Sequence, residues 1–369
     1  MPATTTKFYG LDHLRALAIT WVFLYHYSAR IFGHPEWLWT YSKFGWSGVD
    51  LFFVLSGFLI SSQLFAQWKE KGSIRVKDFF IKRFFRILPA FWVVVAIYFC
   101  VPAFHEREEL RPLWRYLTFT QNFGLDVVNF GTFSHAWSLC VEEHFYLLLP
   151  FTLIALYGLR IFRKGYWLLI ALFGLTIYLR YYAYNNIYLP AMESETGGAE
   201  WYTYIYYPSY CRLDGLLVGV GIAAVYTFLP KAWEVITRYG NVVFLLSLFV
   251  LTSAYHLCYD EHSFGASVFG FAVVAIGYGL MVVAALSKSC FLYKWKSRVI
   301  SLIALLSYAV YLTHKGVINV TQDWVATMGI DVNSGKCMAI CVAACLVAAA
   351  ILHLVVEKPF MMLRKKVLK

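Results

Sequence analysis

Two side chains in the first apolar segment, Arg15 and His26 of LDHLRALAITWVFLYHY, set the chemical question. Eleven residues are close to three helical turns, so both side chains fall on one helix face, about 16 Å apart along the axis. One ligand as long as a pantetheine arm would touch both. A guanidinium suits an anionic group, and an imidazole suits general-base work on a hydroxyl. Singly, each has a plainer reading: Arg15 as a snorkelling cation and His26 as a satisfied core histidine. The aligned pair favours a ligand.

Further ionisable groups lie within apolar stretches. His135, Glu142 and Glu143 share HAWSLCVEEHFYLLLP. Seven residues bring His135 and Glu142 onto one face. Adjacent carboxylates cannot both point the same way, so one of Glu142 and Glu143 faces a polar interior while the other pairs elsewhere or is protonated. Asp50 opens GVDLFFVLSGFLI, Arg212 and Asp214 open RLDGLLVG, and His314 follows Tyr311 by one turn in SYAVYLTHK. A charge at bilayer depth costs about 2.5–3.5 kcal/mol, which makes each a functional candidate. Arg212 and Asp214 equally well neutralise one another in part. Arg83 and Arg86 of KRFFRILPAFW form a fork suited to bidentate phosphate contact. Ordinary basic anchoring at a membrane edge explains them equally well. Cys140 in WSLCVEE reads as small packing before it reads as a nucleophile.

The elements that carry these residues follow from composition. The chain has 369 residues, 60% hydrophobic and 14% charged, against roughly 45–50% and about 25% in soluble domains. That excludes an ordinary soluble enzyme and a disordered chain. The 27 Tyr, 31 Phe and 13 Trp fit a protein with many bilayer–water interfaces. Ten apolar segments are expected to span, at about 12–31, 47–66, 87–104, 135–157, 166–183, 209–228, 241–258, 264–286, 299–319 and 337–356. The fold class is an all-α integral membrane protein. The first segment carries Asp12, Arg15 and His26 and no cleavage site follows, so it is not a cleaved signal. No appended soluble domain is apparent, and residues 1–369 read as a single membrane module.

With the N-terminus in the cytoplasm, 22 of the 32 lysines and arginines fall inside, from Lys7 to Lys369, and eight outside, among them Arg30, Arg180 and Lys315. The positive-inside rule then makes both termini cytoplasmic and accounts for the net charge of +11 without nucleic acid. Acids gather outside, including Glu106, Glu193, Glu195 and Glu261. Segments 105–134 and 184–208 are long enough to form a cap. The second holds Trp201, Tyr202, Tyr204, Tyr206 and Tyr207, which suit either a carbohydrate or an interfacial belt. Gly215 and Gly219 make a small-xxx-small packing motif. The eight cysteines form no CxxC pair, and Cys337, Cys341 and Cys345, four apart, read as close packing. No metal is called for.

Taken in order, these segments resemble the acyltransferase family 3 membrane proteins, which include bacterial O-acetyltransferases of cell-surface polysaccharides. The resemblance rests on the Arg15-to-His26 spacing, GVDLFFVLSGFLI, Arg83 and Arg86, WSLCVEEHFYLLLP, RLDGLLVG, SYAVYLTHK and the closing VEKPF (356–360). It implies an enzyme of the inner cell membrane that moves an acyl group, usually acetyl, from cytoplasmic acyl-CoA to a hydroxyl acceptor on a carbohydrate or lipid-linked glycan. By that similarity His26 is the catalytic histidine, and Arg15, Arg83 and Arg86 are required. Acetyl-CoA is then a substrate, with no bound cofactor.

By chemistry, His26 would act as general base, oriented by Glu142 or Glu143, while Arg15, Arg83 and Arg86 hold the donor. Asp50, His135, Arg212, Asp214 and His314 would support them within the membrane. An acyl-enzyme on His26 or Cys140 is the variant route. The competing class is a proton-coupled transporter of a small anion or glycan precursor, for which an inverted repeat would be the signature. None is visible.

Overall fold

A computed structural model of the chain describes residues 8–29, 32–192 and 197–368. Lys7, Arg30, Glu193, Glu195 and Lys369 lie outside the described residues. All regular structure among the described residues is helical. The long helices are α1 (Tyr9–Ser28), α2 (Gly48–Lys71), α3 (Val76–Cys100), α4 (Trp137–Gly158), α5 (Gly165–Ala183) and α6 (Asp214–Phe228). They continue with α7 (Gly240–Leu257), α8 (Phe271–Leu286), α9 (Arg298–Thr327), α10 (Gly335–Leu352) and α11 (Lys358–Val367).

Eight of the described helical stretches, those built on α2–α5 and α7–α10, are long and apolar enough to cross a bilayer. The chain is therefore an all-α membrane protein, although two of the ten expected spans fall outside that set. Helix α1 covers the first, but Asp12, His13, Arg15 and His26 make it too polar. Helix α6 covers the sixth and is 15 residues long. Pro230 follows it at once, and the next helix (Pro230–Arg238) turns away by 109°. Both polar or short helices are shielded by their neighbours.

Local sequence explains the ends. Helix α2 stops at Gly72, whose φ of +64° is left-handed and whose N–H returns to the Trp68 carbonyl at 2.8 Å. Ser297 and Ser334 cap α9 and α10, accepting from the amides of Ile300 at 3.3 Å and Cys337 at 3.1 Å. Packing explains the interior. Helices α2 and α6 touch backbone to backbone: a Cβ on Gly57 would strike the Leu216 carbonyl, and one on Gly219 would strike Val54 and Phe58. The small-xxx-small motif thus has its partner in Gly57. Helix α1 packs on α2 and α9. The outer faces are bare hydrocarbon, for example Leu147, Leu148 and Phe151 on α4 and Val242, Leu245 and Phe249 on α7, as lipid contact requires.

Candidate functional site

Three histidines from three segments converge. His26 of α1, His314 of α9 and His135, just before α4, have ring centroids 4.9 to 5.8 Å apart. His26 Nδ1 lies 2.8 Å from His314 Nε2. The other nitrogen of His314, Nδ1, sits 3.0 Å from the Val310 carbonyl and 2.9 Å from that of Tyr311. Carbonyls only accept, so Nδ1 of His314 carries the proton and its Nε2 accepts in the neutral ring. His26 must then donate through Nδ1, which leaves its Nε2 with a free lone pair. No described residue bonds to that atom. His314 and His135 are buried, whereas His26 keeps part of its surface.

The surroundings fix this arrangement. Tyr311 donates to the His135 carbonyl at 2.6 Å and accepts from Ser138 at 2.6 Å, tying α9 to the start of α4. Lys315 is paired with Glu106 at 2.9 Å, both buried, and Glu106 also accepts from the Phe133 amide at 3.1 Å. His135 belongs to a 3-10 turn (Ser134–Ala136) ahead of α4 rather than to the helix, so it does not stack on Glu142 as the periodicity predicts. Neither of its ring nitrogens has a partner in hydrogen-bond geometry.

Toward the other end of α1 lie the arginines. The Arg15 guanidinium is within electrostatic reach of Arg83 and Arg86 and forms a loose pair with Asp12 at 3.9 Å. Arg83 lies over the Tyr146 ring, 5.8 Å from its centroid, and Tyr146 donates to Glu142 at 2.7 Å. Glu142 is thus engaged one turn along α4, facing the arginines, and no hydrogen bond joins it or Glu143 to His26. One Glu143 oxygen is buried without a partner. Arg86 is held differently. It pairs at 3.2 Å with Glu357, a buried acid that also bonds His353 at 2.9 Å.

A polar line therefore runs from Arg15, Arg83 and Arg86, past Tyr146 and Glu142, to His26 and His314. Residues 8–354 match the acyltransferase domain family. The chain belongs to that family. Among its relatives is the peptidoglycan O-acetyltransferase OatA of Listeria monocytogenes, 26% identical over 341 residues, which are 85% of this chain and 49% of the relative. Another is the O-acetyltransferase OatA of Staphylococcus aureus, 31% identical over 153 residues, 38% of this chain and 24% of that protein. The chain spans about half the length of the first of these. No solved structure matches it.

Within this acyltransferase-family chain the remaining polar candidates serve as internal ties. Arg212 is paired with Asp50 through two contacts of 2.9 and 3.0 Å, and its guanidinium stacks against Phe271, Tyr206 and Trp137. Asp214 pairs with Arg180 at 2.5 and 3.0 Å. Arg212 and Asp214 thus each choose another partner. Arg180 and Lys315, counted by sequence as outer-loop cations, are buried ion-pair members.

The aromatics of the second loop are also redirected. Trp201, Tyr206 and Tyr207 are buried and, with Phe271 and Trp137, cover the Asp50–Arg212 pair instead of presenting open faces. His144 is apart from the other histidines, bonded to Ser209 at 2.8 Å. Cys140 is buried with its thiol toward the Ala136 carbonyl. Among the described residues no group of three or more His, Cys, Asp or Glu is placed to hold a metal ion.

Sequence reasoning missed Tyr146, Glu357 and the Glu106–Lys315 pair. Tyr146 had a readable signal, four residues after Glu142 on one helix. Glu357 stands in the VEKPF motif, but nothing there names Arg86 as its partner, and the Glu106–Lys315 pair joins distant segments with no local signal.

Proposed function

We propose that the protein is an O-acyltransferase of the inner cell membrane, moving an acyl group, most simply acetyl, from cytoplasmic acyl-CoA to a hydroxyl of a cell-surface carbohydrate or glycolipid. The names of the relatives support an acetyl group and a glycan acceptor, and the arginine-lined end of α1 suits an anionic donor, with that end and both termini facing the cytoplasm.

The observation that carries the reading is the free Nε2 of His26. Held by its own Nδ1–H donation to His314, that atom takes the proton of the acceptor hydroxyl as the oxygen attacks the thioester carbonyl. A C–O bond forms, the C–S bond breaks, and the proton passes from His26 to the departing CoA thiolate. His314 is a positioning residue: it sets the tautomer and touches no substrate. Glu142 and Glu143, with Arg83 and Tyr146, line the donor's side of the path.

The test is turnover of labelled acetyl-CoA by the full chain in nanodiscs, with His26→Ala and Arg15→Ala beside the wild type. Transfer or slow hydrolysis should be lost in His26→Ala by about 10²–10⁴-fold, with insertion and thermal unfolding unchanged. Full activity in that variant would sink the assignment.

A further inference from the structure

We propose that the basic end of the bundle carries a seat for a ligand group bearing more than one phosphate, built from the first turns of α3 and the end of α11. A cavity of about 600 Å³ opens there, lined by Gln63, Lys82, Arg83, Arg364, Lys365 and Leu368. That volume lies within the roughly 300–1,000 Å³ typical of ligand sites. Four of the six lining residues are cations and none is an acid. The Nε of Arg83 is buried without a partner, and Arg83 and Arg364 are near enough to repel one another. Cations that only anchor a helix end snorkel outward to the membrane interface. Here they turn toward one concavity that no acid lines. Glu143 offsets Arg83 from outside it, and an anion in the cavity would offset Lys82, Arg364 and Lys365 as well.

The two arginines of the fork have different jobs on this geometry. Arg86 is committed to Glu357, at the junction of α10 and α11. That bond, with His353, fixes where α11 leaves the bundle and so delivers Arg364 and Lys365, two turns on, to the cavity opposite Lys82 and Arg83. Arg83 faces ligand, and Arg86 holds the wall in place. The inference rests on the proposed reaction for the identity of the occupant: the phosphorylated nucleotide end of acyl-CoA, with its pantetheine arm running along the Arg15–His26 face.

The test is CoA binding by the full chain in phosphatidylcholine nanodiscs, measured by calorimetry beside dephospho-CoA and pantetheine. The variants are Arg364→Gln with Lys365→Gln, the charge-keeping Arg364→Lys with Lys365→Arg, and Arg238→Gln, an exposed cation elsewhere. The double glutamine variant should weaken CoA at least about tenfold and leave pantetheine unchanged. The charge-keeping pair should bind CoA nearly as wild type does, and Arg238→Gln should change nothing. Wild-type CoA affinity in a folded double glutamine variant overturns the seat. Repeating the series with phosphatidylglycerol distinguishes a lipid phosphate: loss of anionic-lipid retention with CoA binding intact overturns the donor as occupant. The reaction reading fails separately. CoA binding that depends on Arg364 and Lys365, in a wild type whose turnover equals that of His26→Ala, upholds the seat and removes the reaction.

Discussion

The Asp50–Arg212 pair and the His26–His314 pair are both polar contacts between apolar helices, yet they are finished to different degrees. Both carboxylate oxygens of Asp50 are taken by one guanidinium nitrogen, whose plane is enclosed by three aromatic rings. Arg180 and Asp214 are paired in the same way, with the Val268 and Cys211 carbonyls accepting from two further Arg180 donors. Along the other line more is left over: His26 bonds only through Nδ1, and both nitrogens of His135, one oxygen of Glu143 and Nε of Arg83 are buried without a partner. Desolvating a polar group without a partner is expensive. The ties keep single leftovers too, Nε of Arg212 and one oxygen each of Glu106 and Glu357, but their charges are paired across segments. The other set has a whole imidazole and a carboxylate oxygen with no protein partner, which marks the first as holding helices and the second as kept for something that arrives.

The largest way to break this comparison is to open the closed pair. Asp50→Asn leaves the Arg212 charge buried with a poorer partner, and should cost about 3–5 kcal/mol. Thermal unfolding in detergent would register it as a lower midpoint and poorer yield. Replacing both residues, Asp50→Leu with Arg212→Met, should recover much of the loss, because no uncompensated charge remains. An Asp50→Asn protein as stable as wild type would mean that the pair is not a structural tie.

The open line should respond in the opposite manner, through rate rather than stability. His314→Ala removes the acceptor that holds the His26 tautomer, so acyl transfer should fall by about 10–100-fold, less than on losing His26 itself. His314→Gln keeps an acceptor oxygen and should restore part of the rate. Equal activity in the Ala and Gln variants would exclude a hydrogen-bonding role, since packing alone does not distinguish an acceptor in that way.

How much of this was legible follows from the range of each contact. The Arg15–His26 face was readable, because helical periodicity alone aligns residues eleven apart. Gly215 and Gly219 were readable as a packing face, and Gly57 on the opposing helix supplies the other half. What sequence reading could not supply was choice of partner. Asp214 sits two residues from Arg212, yet each pairs with another helix, since Arg212 lies in the connection ahead of α6 and only Asp214 is on the helix. By sequence Lys315 counts among the outside cations, although it falls near the end of the expected span 299–319. Helix α9 continues to Thr327 and buries Lys315 against Glu106. His135 was counted into α4, but Phe133 takes a left-handed φ of +57° and the helix begins only at Trp137.

A smaller perturbation tests the packing beneath both regions. Gly219→Ala places a Cβ against the α2 backbone, which has no side chain to yield, and should cost about 1–3 kcal/mol through separation of α2 from α6. Gly221→Ala, with open space at its Cβ, is the internal control and should be neutral or slightly stabilising. If both substitutions shift the midpoint equally, backbone approach is not what joins these helices.

The smallest effect lies outside the apolar helices, where the same rule of completed valence meets water. Asp126, in the 105–134 segment, accepts from Asn129 Nδ2 at 2.6 Å and from the amides of Val128 at 2.9 Å and Asn129 at 3.3 Å. Those donors, the Asn129 side chain first, hold its carboxyl below the usual carboxylate range. A depressed folded value contributes stability that is complete above the unfolded pKa of about 3.9 and is lost as pH falls through the lower, folded one. Because the group is largely hydrated, the contribution is slight, unlike that of equally saturated Asp50. Asn129→Ala should therefore move the Asp126 midpoint upward in an NMR titration without altering unfolding near neutral pH. An unmoved midpoint would show that the two backbone amides suffice. A shifted unfolding transition at neutral pH would show that this loop carries more of the fold than its exposure implies.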